Sequence, residues 1–381
     1  MKRLTKIITA IAFWGTQLYA ANWTGSMSEP ENMKKIEDKA FYVITTAEEL
    51  AWFAAQVNGK KTVNAILAAD IMLGSTYAWT PIGKDSSCMF QSIFDGSNYT
   101  IASPYTATGN FAGLFGVIGE NGVVKNVKVT NPNITHTRNG GTIAGFNNGT
   151  IDNIVVTGGS VTTTSDNAFS GGIVGRNNGS ISNSKNGSAV SNKNSNKQNR
   201  VPYGTRWKQN DAISHAGGIS GFNLKKGRLL NNTNNGAVYS YTYYNLAYGG
   251  GASAYNEGVI LNFTNNGDVT DSSTSFLTES FSDGTNVYRS SLYVGGVAGF
   301  NAGSIEHSSN TKKVAGLNHS FENICYVGGI AGYNKGNLSK SENIGDVAYI
   351  GDEAALNDAT NTMFSYVGGI VGYNLMHVSE I

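Results

Sequence analysis

The chain has 381 residues, 40% of them apolar, which is enough to build a core and excludes wholesale disorder. Only 14% are charged and the net charge is +1, so no global field draws in nucleic acid or an anionic membrane surface. Gly at 48, Asn at 45 and Pro at 5 exclude collagen and a Pro-rich linker, and point to short strands joined by tight turns.

Residues 1–20 read as a signal peptide. A basic start, Met1-Lys2-Arg3-Leu4-Thr5-Lys6, precedes an apolar run from Ile7 to Leu18 and small residues at Ala20 and Ala21. The run falls short of the ~20 residues a membrane span needs, and no later stretch approaches one. Export to the cell surface or the medium is therefore expected. Residues 21–40 are polar and charged and read as a loose linker. Residues 41–116 read as an N-terminal cap with irregular first coils. Within them 45–58 has the marks of a helix: Thr46 and Glu49 form a capping box, and Leu50, Phe53, Ala54 and Val57 form an apolar stripe.

From 117 to 374 the chain repeats. Gly171-Gly172-Ile173-Val174-Gly175-Arg176-Asn177 returns as Gly217-Gly218-Ile219-Ser220-Gly221-Phe222-Asn223, and again ending at Asn301, Asn334 and Asn374, with looser copies ending at Asn147 and Asn256. The spacings between these Asn anchors are 30, 46, 33, 45, 33 and 40, so a unit of about 30 residues carries insertions of varying length. Such a unit cannot bury its apolar face alone, but stacked copies can. Ile143, Ile173, Ile219, Ala252, Val297, Ile330 and Ile370 would form one internal column. Ile151, Ile181, Leu229, Ile260, Ile305 and Leu338 would form a second, and Val161, Val190, Val238, Val269, Val314 and Val347 a third. Three apolar columns around one axis predict an all-β fold, a parallel β-helix whose coils lie ~4.8 Å apart. The anchor asparagines should line up in one row, hydrogen-bonding from coil to coil. They also suit left-handed corners, with the Gly two residues before and after each providing positive φ.

The Gly-Gly-Ile-Val-Gly-x-Asn-x-Gly-x-Ile block resembles the GLUG repeat of large bacterial surface and secreted proteins, over roughly residues 110–374. The upstream Trp79-Thr80-Pro81-Ile82-Gly83, Phe94-Asp95-Gly96 and Gly113-Leu114-Phe115-Gly116 resemble what often precedes such repeats. The resemblance implies an adhesin-like surface protein or an accessory region of a secreted enzyme. One unit departs from it, with Ala254 in place of a Gly.

Insertions follow the closing valines at 191–215, 239–247, 270–292 and 348–365, so they project from one side of the solenoid. The first carries Tyr203 and Trp207 among Lys and Arg residues. Eight residues before each anchor Asn lies a row that starts at Asn139 and continues Phe169, His215, Tyr248, Tyr293, Tyr326 and Tyr366. With Tyr203 and Trp207 these six are the candidate binding surface. One reading makes the row a flat platform for sugar rings or a partner's apolar side chains. The other makes it a structural ladder beneath the loops.

Catalytic signatures are weak. Five His form no His-Glu-x-x-His site, and neither a Gly-x-Ser-x-Gly nor a phosphate loop is present. The best carboxylate pair, Asp268 and Asp346, has Lys313 at the same position in the intervening coil, which reads as a charge-matched surface ladder. Asp95 reads as a turn residue. No catalytic residue, metal or cofactor is assigned, and the chain is read as a non-enzyme. Cys88 and Cys325 read as buried thiols rather than a disulfide pair. The partners this implies are a polysaccharide or a surface protein. The alternatives are a substrate-binding region of a secreted carbohydrate-active enzyme and an inert spacer. Residues 375–381 read as an incomplete last repeat, whose uncapped coil would invite end-to-end association.

Overall fold

The computed structural model describes residues 22–102, 106–107, 109–194, 213–242, 246–273, 291–318, 324–351, 364–375 and 378–379. The leader-like segment 1–20 lies outside the described residues, as do Tyr203 and Trp207. The fold is a right-through stack of parallel coils, a parallel β-helix. One coil runs Val174–Asn177, then Ser180–Ser182 and Lys185–Asn186, then Ala189–Asn194, then Ser214–Gly217. We call the sheets built from these four positions sheets 1 to 4. Sheets 1, 3 and 4 hold eight parallel strands each, and sheet 2 merges with the strands of the N-terminal cap. Among the described residues no helix is long and apolar enough to cross a membrane.

Strand pairing is in register, so like residues stack on like. Asn177 pairs with Asn223, Ile181 with Leu229 and Val190 with Val238. The three apolar columns are buried as expected from Ile143 to Ile330, from Ile151 to Leu338 and from Val161 to Val314. Ile370 and Val347 at the last coil are only partly covered. Both thiols are free and buried.

The anchor asparagines form one buried hydrogen-bonded row. The Nδ2 of each donates to the Oδ1 of the next coil's Asn: Asn147 to Asn177 at 2.8 Å, then Asn223 at 2.9 Å, Asn256 at 2.8 Å, Asn301 at 2.8 Å, Asn334 at 2.7 Å and Asn374 at 2.8 Å. A second buried row, not foreseen, runs Asn186, Asn234, Asn265, Asn310 and Asn343.

The corner argument needs correcting. No anchor Asn has positive φ, and neither do the glycines two residues to either side. One left-handed residue per coil recurs at a different corner, at Asn126, Asn153, Asn183, Asn231, Asn262, His307 and Lys340, and Asn131 and Asn167 are left-handed elsewhere. The anchor amide instead closes its own turn, as when Asn147 Oδ1 accepts from Gly149 N at 3.0 Å. Glycine is required for closeness. A Cβ on Gly179 would run into the carbonyl oxygen of Gly149 in the next coil, and one on Gly172 into Gly218 O and the Asn186 amide.

The helix forms where expected, at Ala47–Asn58, with both halves of its capping box made: Thr46 Oγ1 accepts from Glu49 N, and the Glu49 carboxylate from Thr46 N, each at 3.2 Å. Leu50, Phe53, Ala54 and Val57 are buried, and Phe53 meets Phe90 and Phe94 at ring-centroid distances of 6.2 and 6.0 Å. Burying each large apolar side chain contributes about 1.5–3 kcal/mol, so the helix plugs the open end of the solenoid. The stretch 21–40, expected to be loose, takes part in this cap. Trp23 is buried against Trp79, and Met33–Ile36 pairs antiparallel with Lys39–Ile44. An indole with an apolar partner is enough to anchor an otherwise polar segment.

The insertions do leave at one corner, between sheets 3 and 4. They begin later than the sequence indicates, because the strands continue past the valines to Asn194, Thr242, Ser273 and Gly351. Alternation carries Asn192 and Asn194, Ser240 and Thr242, and Asp271 and Ser273 inward, where they are buried.

The amide row yields a stability prediction. Asn223→Ala removes one of the two acceptors of Asn177 Nδ2 and the amide donor of Asn256 Oδ1, and each buried unsatisfied group costs about 1–3 kcal/mol. Urea unfolding should show a loss of about 2–5 kcal/mol. Asn266→Ala, which breaks an exposed amide contact to Asn235 and a hydrogen bond from the Thr311 hydroxyl but leaves no fully buried polar group unpaired, should cost only about 1 kcal/mol.

Candidate functional site

The predicted row lies on sheet 4, where alternation puts Ala247, Leu292 and Cys325 inside and Tyr248, Tyr293 and Tyr326 on the opposite face. Register pairs Asn139 with Phe169, and continues through His215, Tyr248, Tyr293 and Tyr326 to Tyr366. Neighbouring centroids lie 4.5 Å apart for Phe169–His215, 5.0 Å for His215–Tyr248, 4.8 Å for Tyr248–Tyr293, 4.9 Å for Tyr293–Tyr326 and 5.2 Å for Tyr326–Tyr366. From His215 onward the planes are within 18° of parallel.

A second row runs beside the first and was not recognised as one. It comes from the residue just before each anchor Asn, on sheet 1: Phe146, Arg176, Phe222, Tyr255, Phe300, Tyr333 and Tyr373. The position is aromatic in every repeat but that of Arg176, and its adjacency to the first row depends on how sheet 4 turns into sheet 1. Tyr255, Phe300 and Tyr333 stack at 4.7 and 4.9 Å, and Tyr373 follows at 5.1 Å. Across the rows the rings meet edge to face: Tyr248–Tyr255 at 5.5 Å and 72°, Tyr326–Tyr333 at 5.2 Å and 89°, Tyr366–Tyr373 at 5.2 Å and 77°. Such pairs contribute about 0.5–1.5 kcal/mol beyond area burial. In one coil Arg176 takes the ring's place, its guanidinium 5.6, 5.0 and 5.7 Å from the centroids of Phe146, Phe169 and Phe222.

The geometry corrects the flat platform. Rings in a row turn their faces to each other, so whole faces are not laid open for sugars. The spacing of about 5 Å exceeds the ~3.5–4.0 Å of carbon–carbon contact. The rings are therefore slipped, and each leaves an edge and part of a face uncovered. Exposure grows toward the last coil. His215 and Tyr248 are buried at 6% and 7%, Tyr293 and Tyr326 are half-buried, and Tyr366 is 38% exposed. Burial pushes the Tyr326 phenol up to about 12, and raises Tyr248 and Tyr293 as well.

The carboxylates do not converge. Backbone pairing of Val269 N with Lys313 O and Val314 N with Asp346 O sets Asp268, Lys313 and Asp346 in one exposed row. Asp95 sits in a turn, its Oδ1 accepting from Ser97 N at 2.8 Å and from Asn126 Nδ2 at 3.0 Å. Asp271 had no sequence signal. It is fully buried beside Ser240, and burial pushes its carboxyl well above the usual carboxylate range.

No family model matches the chain. Over 83 residues it is 41% identical to a protein of Evansella cellulosilytica named "Putative Gly-rich membrane protein", covering 20% of this chain and 10% of that one. Over 97 residues it is 34% identical to "Halomucin" of Haloquadratum walsbyi, covering 25% of this chain and 1% of that one. The chain thus spans a small fraction of the curated relatives it matches. Among solved structures, one described as a "putative immunoglobulin A1 protease" from Bacteroides ovatus aligns with 90% of this chain and 76% of its own, at 17% identity and a TM-score of 0.34.

The two buried histidines predict a pH dependence. Burial lowers His136 to about 3; burial, then the Arg176 charge, lowers His215 to about 3, from 6.5 in both cases. The unfolded chain therefore binds more protons between those limits. Their stabilising contribution is complete above pH 6.5 and is lost as pH falls toward 3, by up to about 1.4 kcal/mol per pH unit for each group. His215→Phe keeps a ring in the row. Thermal melts should show wild type and variant diverging as pH falls below 6.5, with the variant losing less stability.

Proposed function

We propose that the chain is an exported, surface-associated repeat protein that acts as an adhesin-like binding module, holding a glycan or a partner protein on its two-row aromatic face without catalysing a reaction. One observation carries this reading: two registered aromatic rows run side by side over consecutive coils, and rings with a coil on either side, Tyr293, Tyr326 and Tyr333, stay only half-buried. Slipped rings offer large contact area at low entropy cost. One ring per coil also recurs at a step close to the length of a sugar unit in an extended chain. The leader-like start, the GLUG resemblance and the surface or membrane character in the relatives' names support the setting. The exposed Asp268, Lys313 and Asp346 row, unlike a desolvated acid pair, supports a non-enzymatic role.

The ring-on-ring stacking itself favours a second reading, an inert spacer whose aromatic rows only stiffen the solenoid. Glycan arrays and cell-adhesion assays on the mature chain separate the two. Exposed Tyr366 and half-buried Tyr373 should be tested rather than Tyr293 and Tyr326, because each stacks on one neighbouring coil only among the described residues, so their loss strips less from the fold. Tyr366→Ser with Tyr373→Ser should weaken binding at least about tenfold while leaving the β-sheet spectrum unchanged. A parent that binds nothing establishes the spacer, and a folded double variant that binds like the parent rejects the ring face as the binding surface.

A further inference from the structure

The aromatic rows begin beside a cavity. Phe111 pairs in register with Asn139 and so occupies the first position of the sheet 4 row. Next to it lies an open cavity of about 500 Å³, lined among others by Trp79, Pro81, Lys84, Asp85, Asn110 and Phe111. That volume is within the ~300–1,000 Å³ typical of small-molecule sites. We infer that this cavity binds one neutral hexopyranose, the end unit of a glycan whose remaining units run along the ring rows; this deepens the binding role proposed above and rests on it for the direction of the chain.

The walls are fixed in advance. Asn58, the last residue of the cap helix, donates to Pro81 O at 3.1 Å and accepts from Lys84 N at 2.9 Å. Trp79 Nε1 donates to Leu114 O at 3.0 Å, which holds the indole against the first coil. Asn110 is tied through its carbonyl oxygen, which accepts from Asn139 N at 2.9 Å. A site held from the cap and from the first coils spends little of its binding energy on ordering itself.

The chemistry matches a sugar. Half-buried Phe111 offers apolar surface for the C–H face of a pyranose, and buried Trp79 and Pro81 form the wall behind it. Asp85 and Lys84 are adjacent charges that suit a pair of neighbouring hydroxyls, one donating to the carboxylate and the other accepting from the ammonium. Asp85 is oriented through Oδ1, which accepts from Ser87 N at 2.8 Å and Ser87 Oγ at 2.6 Å. Its Oδ2 meets no protein donor among the described residues. Lys84 makes no salt bridge among the described residues. The hydrogen bonds from Ser87 hold the Asp85 carboxyl below its ordinary value, so the site carries a carboxylate and disfavours an acidic sugar.

Fluorine NMR of the mature chain labelled with fluorotryptophan reads this site alone. The Trp79 resonance is assigned with Trp79→Phe. D-glucose, D-galactose, D-mannose and D-glucuronate are titrated to roughly 100 mM, above the millimolar Kd expected of a single sugar. At least one neutral hexose should shift the Trp79 signal saturably, and glucuronate should bind more weakly. Asp85→Asn, which keeps an acceptor for Ser87, should raise Kd at least about fivefold, and Phe111→Ala should do likewise. If Phe111→Ala does not fold, Asp85→Asn decides. No saturable shift with any neutral hexose, a shift indifferent to Asp85→Asn, or tighter binding of glucuronate overturns the assignment. Tyr366→Ser with Tyr373→Ser should leave these monosaccharide shifts intact. A silent cavity together with polymer binding lost in that double variant would reject the end site and leave the ring rows as the binding surface.

Discussion

The hydrogen bond from one buried asparagine amide to the same amide one coil on is the constraint from which the rest follows. A primary amide sealed in an apolar interior must find partners for its donors and acceptor. Asn177 finds them in its own turn and in Asn147 and Asn223 above and below. Only one register satisfies all the rungs. A slip of one residue would turn every amide outward and every Ile and Val with it. The glycines serve the same end by letting adjacent backbones close to within reach of the amides, as at Gly172 beneath Asn186.

The aromatic rows inherit that register. Tyr326 and Tyr333 do not meet because of a mutual preference alone. Strands already locked by Asn301 and Asn334 deliver them to the same corner in coil after coil. The periodicity that builds the core therefore also builds the outer face. This explains how one surface can hold rings that are partly structural, such as Tyr248, and others that are open, such as Tyr366. Arg176 shows that the position tolerates any flat group able to lie between rings.

Much of this was legible in the sequence, because a solenoid writes its contacts as repetition. Ile173, Ile219 and Ile330 announce a column by recurring, and the anchor asparagines announce a row. The Thr46–Glu49 box announces the cap helix. Repetition gives position but not conformation. It could not separate a left-handed Asn from a buried hydrogen-bonding one, so the corner role was given to Asn177 when Asn183 holds it. Nor does it give tilt, which is why the repeat alone leaves the row open between a platform and a ladder, where the geometry shows a slipped stack. Asp271 was invisible because no neighbour repeats it: Ser240 and Gly316 flank it in register. The cavity by Phe111 was invisible because its walls come from Asn58, Trp79 and Asn110, brought together only by closure of the cap.

The two buried amide columns also share a direction. Every amide-to-amide hydrogen bond in them is donated toward the following coil, from Asn147 to Asn374 in one and from Asn186 to Asn343 in the other. Exposed amides run the opposite way, as Asn231 donates back to Asn183 and Asn262 back to Asn231, but water screens those. In the low-dielectric interior the aligned amides polarise one another and add up, as peptide units do in an α-helix. The solenoid is thus an electrically directed rod, and each incoming coil must present its oxygen to the nitrogen before it, so that growth of the stack is committed to one polarity from its first rung.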